Sequence, residues 1–135
     1  MDQTKIQQLM AAANEIKHNA YIPYSHFPVG VALLMNDGQV ITGVNVENVS
    51  FGATNCAERT AIFTAVTLGY KPKSIQAVAV AGDTEDFLPP CCICRQVLVE
   101  FCNPDVPVYL TRRDGAIYTT SVADLAPLAF EKLDM

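Results

Sequence analysis

Apolar residues recur at helical spacing near the start of the chain: Ile6, Leu9, Met10, Ala13, Ile16 and Ala20 share one stripe. That stripe predicts a helix over 4–20, opened by Thr4 and Gln7 as a capping box. Residues 21–28 hold Pro23 and Pro28 and read as a loop. Two runs, 29–35 and 39–46, then flank Asn36-Asp37-Gly38 and predict a hairpin. A linking loop with Phe51 and Gly52 leads into a helix that Thr54 or Asn55 can cap and Gly69 can stop. Valine and alanine dominate 75–81, as in a buried strand. After a polar loop over 82–90, Ile93, Val97, Leu98, Phe101 and Cys102 give a further helix its core face, and Asn103-Pro104 end it. Strands over 106–111 and 116–120 follow. Asp114-Gly115 joins them, and so short a link can only connect antiparallel strands. Ser121 caps a last, brief helix. The alternation puts the chain in the α/β class, with a five-stranded mixed sheet and helices on its faces.

Composition narrows what such a chain could do. At 135 residues it is expected to form one domain, 1–135. Hydrophobic residues make up 50%, enough that some apolar surface is expected between subunits. A formal net charge of −5 suits no phosphate backbone, which argues against nucleic acid as a partner. No apolar run is long enough for a membrane span, and the first residues lack the basic and apolar regions of a signal peptide. Cysteines number 5, an odd count, and Cys56, Cys91, Cys92 and Cys94 fall in or between two short motifs. That distribution fits a reducing cytoplasm better than a disulfide framework.

Those motifs carry the chemistry. Cys56-Ala57-Glu58 and, about 30 residues later, Pro90-Cys91-x-x-Cys94 spell the pattern of zinc deaminases acting on nucleobases, in a three-cysteine form. Residues two apart on a helix diverge by about 200°, so Cys56 and Glu58 can share a site only off a helix's N-terminal end. Cys91 and Cys94, three apart, share a face, and Pro90 suits the entry to their helix. Two helix N-termini would then converge on one metal ion, and their positive ends favour thiolates. Arg59 and Arg95 stand beside the ligands and could withdraw charge from sulfur through hydrogen bonds. Glu58, the only carboxylate in either motif, reads as the proton carrier. A closed structural zinc site would need a fourth ligand. Cys92 lies about 100° around the helix from Cys91 and would have to fold back to serve. A redox pair at Cys91 and Cys94 would leave Cys56 and Glu58 unexplained.

Along nearly its whole length the chain resembles the small, three-cysteine, homotetrameric cytidine deaminases. The likeness rests on Phe27-Pro28-Val29-Gly30, Asn45-Val46-Glu47-Asn48, Cys56-Ala57-Glu58-Arg59-Thr60-Ala61, Pro90-Cys91-x-x-Cys94-Arg95-Gln96, Pro107-Val108-Tyr109-Leu110-Thr111, and Leu125-Ala126-Pro127 through Phe130. The resemblance implies a three-layer α/β/α fold whose last two strands are antiparallel. It also implies one Zn2+ per chain on Cys56, Cys91 and Cys94, with Glu58 as the catalytic proton shuttle. The implied reaction is hydrolytic deamination of cytidine and deoxycytidine in pyrimidine salvage. The backbone at Ala57 and Cys91 would face the pyrimidine, Phe27 would pack on the base, and Asn45 and Glu47 would hold ribose hydroxyls. Phe51 and Phe130 would lie in or beside a site completed by neighbouring subunits of a tetramer. Two departures stand out: the family usually has glycine where Cys92 stands and a small residue at Ile93, and often tyrosine at Phe51. A deaminase of an aminonucleoside antibiotic such as blasticidin S is a rival reading, disfavoured by the Phe27-Pro28-Val29-Gly30 block. A zinc-stabilised scaffold without turnover is another, and it would have no need of Glu58. His18 and His26 read as surface residues without a role.

Overall fold

The computed structural model describes residues 1–133. Helix α1 (Gln3–Ile16) forms on the expected stripe, and Leu9, Met10 and Ala13 are buried. Its cap is Asp2 rather than Thr4: the Asp2 carboxylate accepts from the Lys5 amide at 2.9 Å. A carboxylate at that position satisfies a free amide of the first turn, which already contains Thr4. A 3-10 turn over Lys17–Asn19 continues the helix.

Strands β1 (Val29–Met35) and β2 (Val40–Val44) form the hairpin. Helix α2 (Ala57–Thr67), strand β3 (Ile75–Gly82) and helix α3 (Cys92–Phe101) follow. Strands β4 (Pro107–Thr111) and β5 (Ile117–Ser121) then lead to the short helix α4 (Val122–Leu125), capped by Ser121. The sheet runs in the order β2-β1-β3-β4-β5. Among the five strands β3 and β4 pair in parallel, and the other neighbours, β4 with β5 included, are antiparallel.

Alternation along the strands assigns the two faces. Val31, Leu33, Val78, Val80, Val108 and Leu110 pack with residues of α2, α3 and α4. Ala32, Ala77, Ala79, Ala81 and Tyr109 pack with Leu9, Met10 and Ala13 of α1. The result is three layers, α/β/α. Two close approaches set the helices on the sheet. A Cβ at Gly30 would lie 2.1 Å from the Ala13 carbonyl oxygen, and one at Gly43 would lie 2.4 Å from the Ala61 amide nitrogen. Only glycine admits α1 and α2 so close to the strands.

Strand pairing brings Val29, Val44 and Gly82 to one end of the sheet. This is the carboxyl end of the parallel pair, where open α/β sheets bind ligands. A feature outside the hydrophobic pattern locks that end: Lys17, 8% exposed, donates to Asp83 at 2.6 Å. The pair ties the end of α1 to the residue after β3. Among the described residues no helix is long and apolar enough to cross a membrane.

Candidate active site

Two helix starts meet at this end of the sheet. Cys56 is the N-cap residue of α2 and Cys91 that of α3, each in an extended conformation and without a side-chain capping bond. Neither Thr54 nor Asn55 caps α2; the cap position belongs to Cys56, which leaves its thiol free to turn outward. Cys94, in the first turn of α3, is fully buried. The Sγ atoms of Cys56, Cys91 and Cys94 all lie within 4.8 Å of one another, and those of Cys56 and Cys91 are 3.8 Å apart. Three sulfurs at about 2.3 Å from a tetrahedral zinc would be about 3.8 Å apart, so the donor set fits that ion. Among the described residues neither Cys92 nor Glu58 belongs to the group. The thiolates of Cys56, Cys91 and Cys94 could therefore hold zinc and leave one coordination position open.

Electrostatics at the cluster follow from its geometry. A hydrogen bond from Cys94 draws the Cys56 thiol down to about 5 against the effect of burial, with Arg59 and Cys91 adding to the pull. The hydrogen bond to Cys56, together with burial, raises Cys94 above the ordinary thiol range. A bound dication favours the thiolate form of its cysteine ligands and would displace their protons. Arg59 donates from Nη2 to Cys56 Sγ at 3.2 Å, while its Nε is buried without a partner among the described residues. Arg95 is turned elsewhere. It donates to the carbonyls of Pro90, at 2.8 Å, and Leu125, at 3.0 Å, and so braces the entry to α3 and the end of α4. Glu58 is only 5% exposed. Burial pushes its carboxyl up to about 7, and Cys94 lies within hydrogen-bonding reach. A carboxyl near neutrality beside an open metal position can both take and give a proton.

The neighbouring half of the site is built from loops. Phe27 is 41% exposed, in the segment leading into β1. Asn45, just past β2, accepts from the Val29 amide at 2.9 Å and donates to the Phe27 carbonyl at 2.8 Å. Glu47 Oε1 accepts from the amides of Tyr24 and Ser25, both at 3.1 Å, and Oε2 accepts from the Ser25 hydroxyl. Ser25 was not singled out from the sequence. Its partner Glu47 lies 22 positions downstream, and no periodicity records such a contact. Ala57 is fully buried at the start of α2. Phe51 and Phe130 are 75% and 64% exposed, and Cys92 and Ile93 also face outward. Gln96 holds the Phe130 carbonyl at 2.8 Å. His18 and His26 are exposed.

Residues 3–110 match a family model described as the cytidine and deoxycytidylate deaminase zinc-binding region. The chain is 50% identical over 130 residues to the cytidine deaminase of Sporosarcina psychrophila, covering 96% of this chain and 94% of that protein. It is 49% identical over 129 residues to the cytidine deaminase of Halalkalibacterium halodurans, covering 96% of each. The crystal structure of cytidine deaminase from Burkholderia pseudomallei superposes with a TM-score of 0.91 at 47% identity, over 96% of this chain and 100% of that one.

Proposed function

The chain belongs to the cytidine and deoxycytidylate deaminase family, and from that membership we propose that it hydrolyses free cytidine and deoxycytidine to uridine and deoxyuridine with release of ammonia. The observation that carries this reading is the buried carboxyl of Glu58 beside three converging cysteine sulfurs. A scaffold would gain nothing from that carboxyl, because an isolated buried acid costs stability.

Cys56, Cys91 and Cys94 would hold zinc, which when bound would supply Lewis acidity and a water activated at neutral pH. The chain's own residues do the rest. Glu58 takes the proton that the water gives up and delivers it to N3 of the pyrimidine, which makes C4 electrophilic. With N3 protonated the water oxygen bonds to C4. Glu58 then takes the second proton from that oxygen and gives it to the amino group, so that the C4–N bond breaks, ammonia leaves, C4 keeps a carbonyl oxygen and N3 keeps its proton. Arg59 draws charge from the Cys56 sulfur, and Arg95 keeps the start of α3 in place through the Pro90 carbonyl. Phe27 supplies an aromatic surface for the base, the backbone at Ala57 and Cys91 faces the ring edge, and Asn45 and Glu47 meet the ribose hydroxyls.

The described residues form one sheet with its helices, which supports a single deaminase domain. Exposed Phe51, Phe63, Leu68, Leu128 and Phe130 support an oligomer, read here as a tetramer in which Phe130 reaches a neighbour's site. Five free cysteines, three of them at the metal site, support a cytoplasmic location.

The test is zinc content per chain measured together with the ultraviolet change as cytidine is consumed. Stoichiometric zinc and release of ammonia with uridine are expected; a zinc-loaded protein inert toward cytidine and deoxycytidine would refute the reading. Light scattering at micromolar concentration should give the mass of four chains, and a fully active monomer would overturn the shared site.

A further inference from the structure

The loop half of the site has a hub that the deaminase mechanism does not use. Ser25 Oγ donates to Glu47 Oε2 and accepts from the Phe27 amide at 3.0 Å. Its own amide and that of Tyr24 complete the cradle around Glu47 Oε1. The hydrogen bond from the Ser25 hydroxyl is the main influence holding the Glu47 carboxyl below its usual range. Between Ser25 and Phe27, His26 takes a left-handed φ of 57°. Such a conformation is uncommon for a residue with a side chain and needs surrounding contacts to persist. The Ser25–Phe27 bond spans that residue. A hydroxyl offers one donor and two acceptor sites, so a single oxygen can serve both partners.

We propose that Ser25 is a positioning residue that locks the Glu47 carboxylate and the Phe27 ring into one unit, so that sugar recognition and base stacking are set together. The inference rests on the deaminase reading and deepens it. The carboxylate has four lone-pair directions, and the Tyr24–Ser25 cradle occupies some of them. The rest are left for a ribose hydroxyl, aimed by a group that cannot rotate away while the Ser25 hydroxyl holds it. Without that hydroxyl the carboxylate keeps only its amide contacts, and Phe27 loses the acceptor for its amide.

The experiment compares Ser25→Ala and Ser25→Thr with the parent zinc-loaded protein on cytidine and on 2′,3′-dideoxycytidine, which lacks both hydroxyls. Ser25 is exposed, so both variants should keep their zinc and melting temperature. For Ser25→Ala, kcat/KM on cytidine should fall about 10- to 100-fold, the range of a lost hydrogen bond to a charged group, mostly through KM. On the dideoxy substrate the fall should be only about threefold, because the sugar term is already gone. Ser25→Thr retains the hydroxyl and should recover most of the loss. Equal falls on the two substrates would indicate a merely structural role and overturn the inference, as would no fall on either. A parent protein inert toward cytidine would sink the deaminase reading itself and this inference with it.

Discussion

The two halves of the site are held by different physics. The metal half is anchored in the core: Cys94 and Ala57 are fully buried and Glu58 nearly so, although Cys91 is exposed, and α2 rests directly on the sheet. Its geometry follows from close packing, which tolerates little displacement. The nucleoside half lies at the surface. Phe27, Ser25 and Glu47 are exposed or half-exposed and are linked by hydrogen bonds, those from Tyr24 and Ser25 to Glu47 joining segments 22 and 23 residues apart. On the proposed reading, chemistry falls to the half held by packing and selectivity to the half held by hydrogen bonds.

The largest expected effect separates the halves outright. Glu58→Gln preserves size and most hydrogen bonds but cannot shuttle protons. It should lower kcat by about 10²–10⁴-fold or more while zinc content and cytidine affinity stay near those of the parent. Loss of zinc in this variant, read by metal analysis, would recast Glu58 as a ligand. Turnover within a few-fold of the parent would remove Glu58 from the mechanism.

A smaller effect probes the packing of the rigid half. Gly43→Ala places a methyl against the backbone of α2, which cannot move without moving Cys56. It should cost about 1–3 kcal/mol in denaturant unfolding and hasten zinc loss to a chelator. Gly52→Ala, where a Cβ would have nothing within 4 Å, serves as the control and should stay within about 0.5 kcal/mol of the parent. Equal stabilities for the two variants would mean that α2 is not held by this contact.

The smallest effect falls on the border between the halves. Cys92 is exposed beside two ligands and lies outside the sulfur cluster. Cys92→Ala should retain full zinc and kcat, with any change confined to a few-fold in KM, about 1 kcal/mol or less. A variant purified without metal would show the ligand assignment to be wrong.

How much of this was legible in the sequence also divides along the same line. Cys56 with Glu58, and Cys91 with Cys94, are local spacings, and helix geometry alone led from them to converging helix ends. Period-two and helical patterns likewise fixed the sheet and its helices, because burial acts on every residue of an element. Contacts that join distant segments left no such trace. Lys17 continues a helical stripe as a charged residue, yet it is buried against Asp83, 66 positions away. Arg95 stands next to a ligand in sequence, yet its guanidinium reaches the Leu125 carbonyl. Asp2 displaced Thr4 as a cap because capping depends on one residue's backbone angle, which composition does not record.

The distance along the chain between the ligands has a consequence for the supply of metal. Cys56 and Cys91 are 35 positions apart, with α2 and β3 between them. An unfolded chain cannot present this triad without first closing that loop, so zinc binds the folded state far more tightly than the unfolded one. By mass action the fold then gains RT ln(1 + [Zn]/Kd), about 2.7 kcal/mol at a hundredfold excess over Kd and about 4.1 at a thousandfold. Half-life in the cell would therefore track free zinc, and starvation for the metal would remove the enzyme by unfolding and proteolysis as well as by loss of turnover.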